Sequence, residues 1–338
     1  MRAFEIVAGS QGIEGLRRCD RPDPQAAAGQ VLVRLRAASL NFRDLLIARG
    51  KYAGGSLKQD VVPLSDGAGE VIAIGAGVTR FRVGDRVAGT FFRDWIAGPA
   101  LPGPRLALGA PPADGVLAEY ALFGEQDAVR IPAHLSFEAA STLPCAAVTA
   151  WHALMVVGHV QPGDTVLLLG TGGVSIFALQ FARLAGARVL VTSSSDDKLT
   201  RARALGAAVG VNYHATPEWG QEVLRLTDGR GVDHIVEVGG GGTLGRSIQA
   251  IGIGGRIALI GVLTGITGDA NPYGLMTKYA SLHGVYVGSR SMFEKMNTAI
   301  AASALEPVID RVFAFDQAAE AYRHLERGAH FGKVVIRI

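Results

Sequence analysis

Two rhythms of apolar residues divide the chain. Over residues 1–128, short apolar runs such as QVLVRLRAASL, GAGEVIAIGAGV and GDRVAGTFF are broken by glycine. They predict strands of a barrel-like fold with tight turns. Within this stretch IAGPALPGPRLALGAPPADG, from Ile96 to Gly115, reads as a loop on the surface or over a cleft. From residue 129 the rhythm changes. TVLLLG is followed by VSIFALQFARLAGA and RVLVTS by DKLTRARALGA; then come VGVNY, HIVEVG, TLGRSIQAI and RIALIG, with LHGVYVG as a last strand. Apolar runs alternating with helical stretches predict βαβ units around a parallel sheet. The tail, FEKMNTAIAA through HFGKVVIRI, reads as two helices and a strand that returns to the first domain. The expected class is α/β in two domains, 1–128 with 290–338, and 129–289.

Composition narrows the function without naming it. With 338 residues, 49% apolar and 19% charged, the chain suits two packed domains rather than a disordered segment. The 45 glycines show no collagen-like period and act as turn residues. A net charge of +3 with dispersed basic residues gives no stripe for nucleic acid. Two cysteines, Cys19 and Cys145, support neither a disulfide framework nor an all-cysteine metal site. MRAFEIVAGS has no apolar core of a signal peptide, and no run of about 18 apolar residues suggests a membrane span. The default expectation is a cytoplasmic enzyme.

The strongest chemical motif lies at the start of the second domain. A strand, Thr165 to Leu169, meets Gly170-Thr171-Gly172-Gly173-Val174-Ser175, and a helix follows. A dinucleotide fingerprint requires that context. Gly170 permits the tight turn and Gly172 lets the backbone approach a pyrophosphate. Ser175 stands at the third position, where a small residue is needed for helix–strand packing. The N-terminus of the helix, at Gly173 and Val174, offers free N–H groups to phosphates. At the end of the second strand, where an NAD site places an acid, stand Ser193 and Ser194. Serine hydroxyls can donate to a 2′-phosphate, Lys198 and Arg201 add positive charge, and Tyr213 ends the next strand. Asp196 and Asp197 read as capping or first-turn charges of the helix that follows. NADP(H) is therefore preferred over NAD(H).

An ordered series of motifs now supports a wider comparison. Asn41-Phe42-Arg43-Asp44, PLSDGAGEVIAIGAGVTRFRVGDRV, LPCAAVTAWHAL, GTGGVS and the closing HFGKVVIRI resemble the quinone-oxidoreductase and zinc-free alcohol dehydrogenase branch of the medium-chain dehydrogenase/reductase superfamily. The resemblance runs over nearly the whole chain. It implies a GroES-like β-barrel catalytic domain, a Rossmann domain, an active site in the cleft between them, and a homodimer or homotetramer. It implies that Ser194, Lys198 and Tyr213 surround the 2′-phosphate and that Lys333 lies near the cofactor. With it, Gly239 and Gly261, at strand ends on the cofactor edge, become candidates for backbone contacts to ribose or nicotinamide. Zinc-dependent relatives carry a Cys in the segment matching Asn41, a His-Glu pair matching Ser65-Asp66, and a Cys or Asp matching Cys145. Only Cys145 remains, and one soft ligand does not make a catalytic zinc site. The cluster of four cysteines of a structural zinc lobe is also missing. No zinc is expected.

Without a metal, hydride transfer needs hydrogen-bond donors for the negative charge that develops on the substrate. That favours a small electrophile that delocalises charge itself, a quinone or an α,β-unsaturated carbonyl. Asn41 is the candidate donor to the substrate oxygen, with a backbone-capping role as its alternative. Tyr52, in GKYAGG, is a candidate to line the cleft or supply a proton, and Asp44 and Asp66 to orient these groups. Thr149 begins a helix at the domain junction, where the resemblance places the nicotinamide. His152 and Cys145 read more readily as packed core residues than as catalytic ones. Other readings remain open: a zinc-free NAD(P)-dependent alcohol dehydrogenase, a non-catalytic NADPH-binding protein, and a reductase for an acyl chain or carrier protein.

Overall fold

A ten-residue strand, Gln30–Ser39, organises the first half of the molecule. Val31, Val33 and Leu35 alternate inward while Arg34 and Arg36 face solvent, the period of a strand with one face on a core. The computed structural model describes residues 1–52, 55–100 and 107–338. It divides into two units, Met1–Val148 with Gly288–Ile338, and Thr149–Val287.

In the first unit Gln30–Ser39 pairs antiparallel with Asp66–Ile74, Tyr120–Gly124 and the C-terminal strand Lys333–Arg337. Arg86–Gly89, Ala128–Arg130 and Ile309–Ala314 complete a seven-stranded sheet, with Tyr120–Gly124 branching off its path, and Arg2–Ile6 pairs separately with Leu16–Asp20. One core cluster joins Val31, Leu35, Val71, Val87, Phe123, Tyr322 and Ile336. The tail thus holds the two expected helices, Arg290–Ser303 and Ala318–Glu326, and the returning strand, with a further strand at Ile309–Ala314. Of the Gly/Pro segment, residues 96–100 are exposed, as a surface loop would be, whereas 107–115 are anchored. Leu108 is buried, Ala107 bridges to Phe92, and Gly115 approaches the Leu64 carbonyl so closely that a side chain would clash. Residues 101–106 of that segment, and Ala53 and Gly54 beside Tyr52, lie outside the described residues.

The second unit is a six-stranded, wholly parallel sheet in the order Val209–Asn212, Arg188–Ser193, Thr165–Leu169, Val232–Glu237, Ile251–Leu259, Ser281–Gly284. Numbered from Thr165–Leu169, this is the 3-2-1-4-5-6 order of a doubly wound dinucleotide fold. Every residue of Thr165–Leu169 is buried because helices cover both faces of a parallel sheet. The fold class agrees with expectation.

The boundary lies at Val148, twenty residues beyond the expected 128. The physical reason is that 129–148 is bonded into the first unit. Ala128–Arg130 pairs with Arg86–Gly89, Ser39 Oγ donates to the Ser141 carbonyl at 3.0 Å, and the Cys145 N–H donates to Asp66 at 3.3 Å. No described helix is long and apolar enough to cross a membrane.

Candidate active site

The glycine turn of the second unit has the geometry its motif requires. Gly170 has φ +73°, a left-handed conformation that L side chains rarely adopt, and space around it is open. Gly172 caps the helix Gly173–Leu184 in an extended conformation, and Val174 is in its first turn. Ser175 is buried and its hydroxyl donates to the Leu169 carbonyl at 2.7 Å. A serine therefore serves where glycine is usual, because its hydroxyl is satisfied by the strand end it packs on. Together these residues fit a dinucleotide pyrophosphate.

At the end of Arg188–Ser193, Ser193 is buried and accepts from the Ser195 N–H at 3.3 Å, whereas Ser194 is exposed. Ser195 caps the helix Asp196–Ala204 by accepting from the Lys198 N–H. Asp196 and Asp197 are first-turn charges, as expected, and Asp196 accepts from the Asn212 amide at 3.0 Å. Lys198 and Arg201 follow on that helix, and Tyr213 is 38% exposed beside it.

Gly239 and Gly261 show a different reason for being glycine. The Gly239 N–H donates to Glu237 at 2.7 Å and its carbonyl accepts from the Thr264 N–H at 2.7 Å, so both backbone groups are already engaged. A side chain on Gly261 would meet the Val238 carbonyl at 2.4 Å. At these two glycines the loops are held to each other. Thr149 is buried in the short helix Val148–Trp151. The His152 ring lies 2.7 Å from the Val287 carbonyl, and burial lowers its pKa against that bond, in keeping with a packed neutral histidine.

The first unit gathers a second set of groups at three adjacent strand ends. Ser39, which ends the central strand, is opposite Asp66 on one side and Val335 on the other. Antiparallel register then places Lys333 opposite residue 41. Lys333 is 2% exposed, and its ammonium donates to the Leu40 carbonyl and to Asn41 Oδ1, each at 2.7 Å, with Asp66 Oδ2 at 3.6 Å. Asp66 also accepts from Ser65 Oγ at 2.6 Å. The amide nitrogen Asn41 Nδ2 is hidden from solvent and has no hydrogen-bond partner among the described residues. A buried donor left open in this way costs about 1–3 kcal/mol unless something else fills the place.

Asn41 is also the N-cap of the short helix Phe42–Ala48, and the Asp44 carboxylate accepts its N–H at 2.7 Å. Asp44 is fully buried, 3.6 Å from the Arg43 guanidinium. The bond to the Asn41 N–H holds the Asn41 backbone in place, in line with the orienting part expected of Asp44. Tyr52 is likewise engaged: the Arg43 guanidinium sits 4.7 Å over its ring and 4.8 Å over Phe91, and donates to the Leu108 carbonyl at 2.8 Å. Arg43 and the pairing of Lys333 with Asp66 were not anticipated. For Arg43 the signal was present, a charge pair inside the apolar helix FRDLLIA. Partly buried Cys145 is no thiolate nucleophile, because burial and Asp66 push its thiol up.

Burial raises the Asp44 carboxyl to about 6, opposed by the Arg43 charge and the Asn41 N–H. A carboxyl whose folded pKa lies above its unfolded value of about 3.9 adds stability below that value and loses it as pH rises through about 6. Asp44→Asn keeps an acceptor for the Asn41 N–H and removes the titration. Its unfolding free energy is expected to vary less between pH 4 and 7 than that of the wild type, by on the order of 2–3 kcal/mol. Urea titrations across that range measure it, and an unchanged pH slope contradicts the assignment.

This donor set does not fit a zinc ion held by three protein ligands. Asn41 Oδ1 and Asp66 already face the Lys333 ammonium, and among the described residues no three His, Cys, Asp or Glu side chains converge.

Comparisons with known proteins match two segments of the chain to families. Residues 27–133 match the alcohol dehydrogenase GroES-like domain family and residues 173–302 the zinc-binding dehydrogenase family. A zinc-type alcohol dehydrogenase-like protein of Schizosaccharomyces pombe is 46% identical over 322 residues, covering 92% of this chain and 91% of that one. The crystal structure of an NAD-dependent alcohol dehydrogenase superposes with a TM-score of 0.92 at 36% identity, covering 100% of both chains. A mycobacterial protein solved with NADPH gives 0.83 at 26% identity, again over 100% of both chains. The chain belongs to the medium-chain dehydrogenase/reductase superfamily and is an oxidoreductase.

Proposed function

We propose that the chain reduces a small electrophile, a quinone or an α,β-unsaturated carbonyl, with NADPH and without zinc. The observation that carries this reading is the buried Asn41 Nδ2, a donor with no hydrogen-bond partner among the described residues. Bound NADPH supplies a hydride from its reduced nicotinamide. The chain supplies a donor for the oxygen on which negative charge collects, and fixes that donor before the reaction begins. One amide is a weaker polariser than a metal ion, worth several kcal/mol less to a simple ketone. Quinones and enones spread the charge themselves, so one donor suffices. Assays of quinones, enones and primary alcohols in both directions, with metal-stripped protein, test the reading. Turnover confined to alcohols would replace it with the second reading, an NAD(P)-dependent alcohol dehydrogenase, which the 36% identical NAD-dependent structure favours.

The preference for NADPH rests on Ser193, Ser194 and Lys198, with no acid at the strand end. Lys198→Ala is expected to raise the KM for NADPH by roughly tenfold, the loss of one charge-assisted bond to phosphate. The KM for NADH should hardly move, and equal effects would contradict the assignment.

A homodimer is proposed as the working assembly. The strand Ser281–Gly284 is the outer strand of the six-stranded sheet, and exposed Tyr273, Met276 and Tyr279 precede it. An open edge next to exposed aromatic residues calls for a cover. Light scattering should give twice the chain mass, and Tyr279→Lys should shift it towards one chain; a monomeric wild type contradicts this.

A further inference from the structure

Asn41 carries a donor and an acceptor of nearly the same shape, and its terminal torsion has two broad, roughly equivalent settings. In one setting the amide presents N–H to a substrate oxygen. In the other it presents its own oxygen, which repels a developing negative charge. Something must choose between them. Building on the reading of Asn41 as the donor, we propose that Lys333 is the positioning residue that sets this choice.

An ammonium only donates. Lys333 Nζ has three N–H groups and three oxygens around it: the Leu40 carbonyl at 2.7 Å, Asn41 Oδ1 at 2.7 Å and Asp66 Oδ2 at 3.6 Å. With Lys333 2% exposed and Asp66 fully buried, water does not compete readily for these bonds, and turning the amide round would set N–H against N–H in a low-dielectric place. The ammonium therefore holds Oδ1, and Nδ2 is left without a partner among the described residues. Asp66 is fixed from its other sides by Ser65 Oγ and the Cys145 N–H, so the anchor of the ammonium does not wander. The backbone is fixed too, because the Leu40 N–H donates to the Val334 carbonyl at 3.0 Å next to the residue concerned. A lysine expected near the cofactor thus acts in the first unit on the orientation of the substrate's donor.

Two measurements test this. In the full-length enzyme, Lys333→Met should lower kcat about tenfold or more with the Kd for NADPH unchanged, and should lower it little further when added to Asn41→Ala. A raised NADPH Kd with kcat preserved, or an undiminished loss on top of Asn41→Ala, overturns the proposal. Full activity of Asn41→Ala alone instead sinks the reading of Asn41 as donor. Neutron diffraction from the wild-type protein reads the amide directly and needs neither turnover nor a folded variant. Three deuterons on Lys333 and Asn41 deuterons turned away from it are the expected result. Asn41 deuterons pointing at Lys333 overturn the proposal.

Discussion

Asn41→Ala is expected to lower kcat for quinone or enone reduction by about a hundredfold or more, the usual loss when one donor to a developing oxyanion is removed. The affinity for NADPH should stay at the wild-type value, because Asn41 belongs to the first unit and the glycine turn at Gly170 to the second. Stability should fall only slightly: the side chain leaves, and with it one of the two carbonyl acceptors of Lys333. Asn41→Asp is the sharper variant. It keeps shape and the bond to Lys333 but sets a carboxylate where Nδ2 was, so kcat should fall at least as far. Stopped-flow measurement of NADPH oxidation under single-turnover conditions separates the reaction step from product release. Wild-type rates in both variants would remove Asn41 from the chemistry.

Glu237→Ala is expected to have the largest effect on folding, a loss of roughly 3–5 kcal/mol. Glu237 is fully buried at the end of Val232–Glu237. One oxygen accepts from the Gly239 N–H at 2.7 Å, the Gly240 N–H at 3.1 Å and Thr243 Oγ at 2.6 Å, and the other from Ser247 Oγ. Alanine leaves four donors without their acceptor, and each buried orphan costs about 1–3 kcal/mol before water enters. A domain is stable by only about 5–15 kcal/mol, so the loss is a large share. Glu237→Gln keeps one oxygen for the three-donor side, and Ser247 can turn to accept from the new amide. It should cost about 1–2 kcal/mol. Denaturant unfolding followed by circular dichroism measures both, and a Glu237→Ala protein within about 1 kcal/mol of wild type contradicts this account of the loop.

These two residues differ in how readily the sequence reveals them. The parallel sheet was legible because its strands are buried on both faces and read as unbroken apolar runs such as TVLLL. The glycine turn was legible because it is local: strand, turn and helix follow one another within twenty residues, Thr165 to Leu184. Asn41 stood out by its residue type, but its state did not. The partner that orients it is 292 residues away, and the contact depends on strand register, which no local pattern encodes. The domain boundary failed for a related reason. The helical stretch before Thr149 has the look of the second unit, yet Asp66 and Ser39 of the first unit bond to it. Asp44 reads from the sequence as an orienting group; its burial and the bond it accepts from the Asn41 N–H are set by tertiary packing that no local pattern encodes.

The most direct test of the account follows a labelled hydride in metal-stripped protein. With NADPH deuterated at the transferring C4 position, an enone should yield product carrying that deuterium on carbon, at the rate that untreated protein shows with the same deuterated NADPH, with chelator present and metal content below stoichiometry by elemental analysis. Turnover that vanishes on stripping and returns only with Zn²⁺ would contradict it.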